Sequence, residues 1–370
     1  MLQKGLGTII SQQFDGKKPS RFVDLFAGSS AVAAHVAEQF DIPVIAFDLQ
    51  KYSVALANAV LRRDGKIKAT EIWPIWHIEA KKHFELISPP IAYVLTQEIV
   101  ENFRKWSAAQ EGLPITKAYG GHYFSPSQAV WIDVLRATLP TNKEIINVAL
   151  AALIQAASLC VAAPGHTAQP FQPTRTAKRF LQEAWHRDIV AKTKAAFEDL
   201  ASRHAKQRGT ARVADANKAA SGLQKGDLVF IDPPYSGVHY SRFYHVLETI
   251  ARGTCGEVSG RGRYPAAEER PSSKYSMRSE SEDALEDLLE KISKQGARAI
   301  LTFPAHECSN GLSGRVVRET AAKYFTIVED RVKSRFSTLG GTGSKKKKQK
   351  EARRAARQHA AELMLVLEPK

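Results

Sequence analysis

The chain of 370 residues is poor in the features that would place it outside a cell or in a membrane. It has only three cysteines, Cys160, Cys255 and Cys308, and they are scattered without the spacing of a disulfide framework or a zinc site, so a reducing, cytoplasmic setting is expected. The amino terminus lacks a charged-then-apolar leader, and no uninterrupted apolar run reaches the ~20 residues that cross a bilayer. The longest apolar stretch, Val148 to Ala163, is rich in alanine and carries Gln155 and Ser158. It reads as a buried helix, and no membrane partner is expected. Acidic side chains are in the minority, with 38 Asp and Glu against 53 Lys and Arg and a formal net charge of +15. That balance points to a polyanionic partner such as nucleic acid. Part of the excess sits in one tract, Lys345-Lys346-Lys347-Lys348-Gln349-Lys350, followed by Arg353, Arg354 and Arg357. It reads as a basic hairpin extension touching backbone phosphate, or as a plain solvated tract.

Two groups of residues carry chemistry. Downstream, the apolar run Leu228-Val229-Phe230-Ile231 ends in Asp232-Pro233-Pro234-Tyr235. Two prolines cannot continue a helix and hold the backbone extended, so the Asp232 side chain and the Pro233 carbonyl project as paired acceptors beside an aromatic ring. An exocyclic amine on a flat base fits that arrangement, although a strand ending in a proline turn with a packed Tyr has the same four residues. Upstream, Arg21-Phe22-Val23-Asp24-Leu25-Phe26 reads as a strand, Ala27-Gly28-Ser29-Ser30 as a small-residue turn, and Ala31 to Phe40 as a helix. Such a turn lets backbone approach a ligand. About twenty residues on, Pro43-Val44-Ile45-Ala46-Phe47-Asp48 is a second strand ending in an acid, where a carboxylate can accept both hydroxyls of a ribose. The turn has neither the Gly-x-Gly-x-x-Gly spacing of a dinucleotide site nor the Gly-Lys-Ser/Thr of a phosphate loop. A cofactor with a ribose and no phosphate fits better, and S-adenosyl-L-methionine is such a molecule.

The set Asp24 to Ser30, then Asp48, then Asp232-Pro233-Pro234-Tyr235, resembles the DNA adenine-N6 methyltransferases of the Dam-like group, in which the cofactor motif precedes the catalytic one. The likeness continues through His239 to Thr249 and includes Val213-Ala214-Asp215-Ala216, which is similar to the strand end that touches the cofactor's adenine. The resemblance implies Asp24, Phe26, Ala27, Gly28, Ser29, Ser30, Asp48 and Asp215 at S-adenosylmethionine and Asp232, Pro233, Pro234 and Tyr235 at the reaction. Tyr240, Ser241 and Arg242 are expected on the phosphate of a flipped nucleotide, or simply in the first turn of a helix ending near Ala251. One departure lies at the amino terminus, where Lys4-Gly5-Leu6-Gly7-Thr8-Ile9-Ile10 stands for a usually longer Gly-x-Lys segment and helix; either it suffices or the true start lies upstream. Ser30 replaces the second glycine of the usual turn.

The expected fold is α/β, a doubly wound, Rossmann-like methyltransferase sheet of seven strands: Arg21 to Phe26, Pro43 to Asp48, Ala211 to Ala214, Leu228 to Asp232, Ala297 to Phe303, Phe325 to Val332 and Glu362 to Glu368. The last two form a reversed hairpin at one edge. Residues 1–60 and 210–370 are assigned to the catalytic domain and 61–209 to an inserted, mainly helical target-recognition region. Helices are expected at Ser127 to Leu139, Lys143 to Ala163 and Thr174 to Gln207. Loops Ala118 to Pro126 and Gly165 to Arg175 offer aromatic, amide and basic groups to base edges and phosphates, or pack the insert. Arg261, Arg263, Arg270, Lys274 and Arg278 lie in a polar stretch that reads as a mobile loop over DNA or as a plain surface loop.

The expected activity is transfer of a methyl group to adenine N6 in double-stranded DNA, in a restriction-modification system with a cognate restriction endonuclease or as an orphan enzyme. The amine is a poor nucleophile and the methyl on sulfonium is already activated, so geometry matters more than a strong base. The base must leave the duplex, and Tyr235 is the ring expected to stack on it. No cysteine stands beside proline as a cytosine-C5 enzyme requires. RNA adenine methylation and a catalytically silent DNA-binding module are the alternatives. No metal is expected.

Overall fold

An uninterrupted apolar run such as Leu228 to Ile231 has no polar face, so it must be covered on both sides, the condition met by an inner strand of a parallel sheet. In a computed structural model, which describes residues 2, 5–15, 18–337 and 357–370 (for 329–337 and 357–361 the backbone alone), every residue of this strand is buried. The strands are β1 (Arg21–Asp24), β2 (Val44–Asp48), β3 (Thr210–Val213), β4 (Asp227–Ile231), β5 (Val258–Ser259), β6 (Tyr264–Pro265), β7 (Arg298–Pro304), β8 (Phe325–Ser337) and β9 (Arg357–Pro369). Seven of them form one sheet in the order β3-β2-β1-β4-β7-β9-β8, and β5 and β6 form a separate hairpin. β1 runs parallel to β4, β4 to β7, and β2 to β3, while β9 runs antiparallel to β7 and β8. The seven expected strands and the reversed pair at the edge are thus present, and the fold is a mixed α/β, Rossmann-like one.

Running down the chain, the helices are α1 (Leu6–Asp15), α2 (Ala31–Gln39), α3 (Lys51–Leu61), α4 (Ala69–Glu85), α5 (Gln97–Ala108), α6 (Pro114–Tyr119), α7 (Pro126–Ala137), α8 (Lys143–Cys160), α9 (Lys178–Trp185), α10 (Ile189–Ser202), α11 (Ala216–Ala219), α12 (Ser241–Arg252), α13 (Ser281–Lys294) and α14 (Gly314–Tyr324). Two compact units can be drawn among the described residues, one from 1–26, 216–238 and 273–370, the other from 27–215 and 239–272. In the first, β1 is anchored where Arg21 donates from Nε and Nη2 to both oxygens of the buried Asp227, at 2.8 and 2.6 Å. A charge at that depth is tolerated because the fork of guanidinium donors matches the carboxylate.

The second unit has a continuous core in which Trp73, Trp76, Tyr119, Tyr123, Phe124, Leu153, Phe197 and Ile250 are buried. α8 is long and apolar enough by length and composition to cross a membrane, yet it packs here against α3 and α10. The single helix expected from Thr174 to Gln207 is two, because Asp188 accepts from the Val190 and Ala191 amides and starts α10 afresh. α4, α5 and α6 were not anticipated. The loop from Ala118 to Pro126 packs inward, with Tyr119, Tyr123 and Phe124 fully buried, whereas Gln169, Thr174 and Arg175 of the second loop are exposed. The polar stretch after α12 contains the β5–β6 hairpin, and Arg263 donates from Nε to the Ala118 carbonyl at 2.8 Å. The Lys345 to Lys350 tract and Lys4 lie outside the described residues; Ser337 and Arg357, on either side of that tract, are paired.

α3 ends on a buried cation. Arg63, 1% exposed, donates to the carbonyls of Ala59, Gly65 and Ala201 at 2.9, 2.6 and 3.1 Å and to those of Leu200 and Arg203. Burial lowers its pKa to about 10, so it remains charged at neutral pH. Arg63→Ala removes a donor from five carbonyls, three of them in buried hydrogen bonds, and is expected to cost about 3 kcal/mol, read as a lower urea midpoint. Arg63→Lys should recover little, because an ammonium offers three donors and no fork.

Candidate active site

β4 delivers Asp232 to its carboxyl end, and the chain there must turn because prolines follow. Asp232 as a residue is half-buried, but its carboxyl group is enclosed; Oδ1 accepts from the Thr302 hydroxyl of β7 at 2.9 Å. Burial pushes this carboxyl up to about 7, against the pull of the Thr302 hydrogen bond, with Glu362 adding to the rise. Pro233 is buried and Tyr235 is 39% exposed. The turn is clamped from outside. Asn310, fully buried, donates from Nδ2 to the carbonyls of Pro234 and Tyr275, both at 2.9 Å. The Gly237 amide donates to Ser309 Oγ at 2.9 Å, and a Cβ at Gly237 would lie 2.9 Å from the Ser309 carbonyl oxygen.

In the same unit β1 ends in Asp24, 1% exposed, whose Oδ1 accepts from the Phe26 amide at 3.1 Å. The Phe26 ring meets Tyr275 edge-on at 5.1 Å, and Tyr275 donates its hydroxyl to Asn217 Oδ1 at 2.7 Å. Asp24, Phe26 and the Asp232 turn are therefore tied through Tyr275 and Asn310. Neither Tyr275, Asn310, Ser309 nor Thr302 was picked out from the sequence. Thr302 alone left a trace, as a lone hydroxyl in the apolar run of β7.

The second unit holds the turn after β1. The Ala27 amide donates to the Phe47 carbonyl at 2.9 Å and the Gly28 amide to Asp48 Oδ2 at 2.8 Å. Gly28 has φ 51° and Ser30 φ 61°, a left-handed pair that only glycine adopts without strain. The side chain of Ser30 does not cap α2; it donates to the Ser53 carbonyl at 3.1 Å, and Ser29 is exposed. Asp48 Oδ1 accepts from the Gln50 amide at 2.8 Å. Burial raises this carboxyl, and the Gln50 and Gly28 amides pull it back. Gln50 is buried, and its side-chain amide nitrogen has no partner among the described residues. The Ala214 amide donates to the Asp48 carbonyl at 3.0 Å, which sets half-buried Asp215 one residue further along. Each carboxylate oxygen of Asp48 keeps a lone pair beyond its backbone bond. The Asp48 acceptor and the unpaired Gln50 side-chain amide thus lie at the end of β2 and in the short turn after it, with the Gly28 amide of the small-residue turn bonded to Asp48.

α3, which follows this turn, has no cap of its own at Gln50. Glu248 of α12, 8% exposed, supplies one by accepting from the Tyr52 amide at 3.0 Å. At the start of α12, Ser241 is buried, Tyr240 stacks on Tyr244 at 6.4 Å, and the exposed Arg242 lies 4.7 Å over the Tyr264 ring. All three thus have roles in the first turns of that helix. The cysteines are unpaired, and burial pushes the Cys160 and Cys308 thiols up to about 11. Among the described residues no cluster of His, Cys, Asp and Glu could hold a metal.

A Rossmann-like sheet with an acid closing β1, another closing β2 and an Asp-Pro-Pro-Tyr turn closing β4 defines a nucleotide-cofactor α/β domain of the methyltransferase type. The model of the D12 class N6 adenine-specific DNA methyltransferases matches residues 5–300, and the chain belongs to this family. It is similar to the Type II methyltransferase M.FokI of Planomicrobium okeanokoites, 26% identical over 286 residues, 73% of this chain and 38% of that protein. It is also similar to the modification methylase StsI of Streptococcus sanguinis, 25% identical over 262 residues, 68% of this chain and 35% of that one. A segment of 68 residues is 44% identical to the modification methylase LlaI of Lactococcus lactis subsp. lactis, covering 18% and 10%. The chain spans between a tenth and two fifths of the length of these relatives.

Two outcomes are expected. Glu248→Ala should lower stability by about 1–2 kcal/mol, as a lost helix cap does, while Glu248→Gln keeps an acceptor and most of that stability. Asp232 titrates near 3.9 when unfolded and near 7 when folded. A folded carboxyl raised in this way favours the protonated form, so its contribution is full below about pH 4 and is lost as pH rises through 7. Asp232→Asn, always neutral, should therefore raise the denaturation midpoint at pH 8 and lose that advantage near pH 4.

Proposed function

We propose that the chain is an adenine-N6 methyltransferase that acts on double-stranded DNA with S-adenosyl-L-methionine as methyl donor. The observation that carries this reading is the Asp232 turn: an enclosed carboxyl, a rigid Pro233 carbonyl beside it and a partly exposed Tyr235 ring after it. Asp232 and the Pro233 carbonyl would accept the two hydrogens of the exocyclic amine and turn its lone pair out of conjugation with the ring. Tyr235 would cover the base once it has left the duplex. Thr302 and Asn310 keep the acceptors in place beforehand, so little order has to be found at the moment of reaction. The surplus proton leaves after transfer, and Asp232 is the acceptor within reach.

Asp48, Gln50 and the turn from Ala27 to Ser30 would hold the ribose of the donor and Asp215 its adenine, and Asp24 and Phe26 are proposed for the same cofactor. Bound there, S-adenosylmethionine supplies a methyl group already activated by sulfonium. Tyr240, Ser241 and Arg242 are proposed for the phosphate of the flipped nucleotide, with Arg242 the best exposed of the three. The reading keeps residues 1–60 and 210–370 as the catalytic part and 61–209 as the target-recognition insert. The two long relatives, a type II methyltransferase and a modification methylase, support a restriction-modification setting and a cognate endonuclease as partner. Three unpaired cysteines and a net charge of +15 support a reducing cytoplasm and a nucleic-acid substrate.

The test is transfer of labelled methyl to mixed-sequence duplex DNA, followed by digestion to nucleosides. N6-methyladenine is expected, and label found only in RNA overturns the DNA assignment. Asp232→Ala should abolish transfer and leave cofactor binding within about twofold, since a base-side acceptor contributes to the chemical step. Because only the ionised carboxyl is purely an acceptor, kcat/KM should climb about tenfold per pH unit below 7 and level off above it.

A further inference from the structure

A cavity of about 260 Å³ opens in the second unit, within residues 61–209 and away in sequence from the residues proposed for the cofactor and the reaction, beneath the segment Pro90 to Leu95. Its volume lies just under the ~300–1,000 Å³ of sites for drug-sized ligands, so it suits a single side chain or a single base. Trp185 and Trp131 line it, with Phe103, Gln128 and Gln182. Phe103 covers Trp185 at 6.2 Å between rings. Trp185 is 7% exposed, and its indole N–H is buried with no partner among the described residues. The two glutamines of the lining are engaged: Gln128 donates to the Ala184 and Arg187 carbonyls at 2.9 and 2.8 Å, and Gln182 to the Tyr93 carbonyl at 3.1 Å. An indole N–H buried without an acceptor is costly, and between the aromatic rings of this lining it calls for an occupant that is flat, apolar on its faces and bears an acceptor on its edge.

The lip of the cavity has the same character. Leu86-Ile87-Ser88-Pro89-Pro90-Ile91-Ala92-Tyr93-Val94-Leu95 carries no charge, and Ile91, Tyr93 and Val94 are 73%, 84% and 63% exposed. Prolines and aliphatic side chains of this kind serve as wedges between base steps in proteins that unstack DNA. Arg187 and Asp188 are the charged residues of the lining, and Lys178 and Arg179 open α9, the helix that brings Gln182 and Trp185 to the cavity. An apolar protein side chain would fill the cavity but leave the indole N–H unanswered; a nucleobase has ring nitrogens and carbonyls in its own plane.

We propose that this cavity binds an unstacked nucleobase of the DNA, distinct from the base at Asp232, with Trp185 donating to an edge acceptor and Tyr93 stacking at the mouth. It rests on the reading of the chain as a DNA methyltransferase, and it makes Trp185 and Tyr93 part of substrate recognition.

The experiment measures affinity of the whole chain for two duplexes of one sequence, one fully paired and one with a single unpaired base, with labelled methyl transfer to each followed in parallel. Wild type is expected to prefer the duplex with the unpaired base. Trp185→Phe keeps a ring and removes the donor, and should cost about three- to tenfold on that duplex alone. Tyr93→Ala, at a site too exposed to affect folding, should cost about fivefold or more. Loss of preference in both variants, with wild-type cofactor binding, supports the assignment. Equal affinities in wild type, or variants that keep the full preference, overturn it while methyl transfer to DNA still stands. Self-association of wild type that disappears in Tyr93→Ala with no change on DNA overturns it too and makes this face a protein contact. No methyl transfer to either duplex removes the enzyme reading, and this inference with it.

Discussion

A carboxylate placed at the end of a wholly buried strand is the constraint on which the site depends. Water no longer solvates it, so it stays only if protein groups donate to it or if it takes up a proton. At Asp232 the single hydroxyl of Thr302 donates, and the carboxyl moves up to about 7. Asp227, at the other end of the same strand, is fully buried but receives two donors from Arg21 and one from the Gln224 amide. One strand thus carries an anchored acid at its start and a poorly satisfied one at its end. Asp232 is the one left with capacity for a further donor, which is what recognition of an amine requires.

The rest of the first unit keeps that acid where β4 puts it. Asn310 spends both hydrogens of its amide on carbonyls, one in the proline turn and one at Tyr275. Tyr275 in turn carries the Phe26 ring. A turn made of prolines has few amides with which to brace itself, so its bracing has to come from another loop. The second unit repeats the idea with different parts. Asp48 ties the small-residue turn to the end of β2 by accepting from Gly28 and Gln50, and Glu248, distant in sequence, caps α3, which starts after Gln50.

Much of this was legible in the residue order. Short apolar runs bounded by turn signals marked most of the seven strands, and the order of strands and helical runs marked the sheet. The Asp-Pro-Pro-Tyr turn was legible for the same reason, since prolines after an apolar run leave few backbone choices. The split between α9 and α10 was missed, because Asp188 can cap a helix or sit within one, and which it does depends on whether its side chain bonds the amides that follow, as it does here. The braces Thr302, Ser309, Asn310 and Tyr275 were not legible at all. Each is an ordinary polar or aromatic residue until something far along the chain is brought within 3 Å of it.

The sequence by itself determined the elements and the chemistry available at their ends: seven strands, a small-residue turn, acids after β1, β2 and β4, and a ring after the prolines. These are local consequences of periodicity and backbone restriction. Only the tertiary structure decided which of those acids is left short of donors, which aromatic residues are core and which face solvent, and where an indole N–H is buried without an acceptor. Burial and pairing are properties of contacts between distant residues, and solvation energy, which sets a carboxyl's pKa and the cost of an unpaired donor, follows from those contacts.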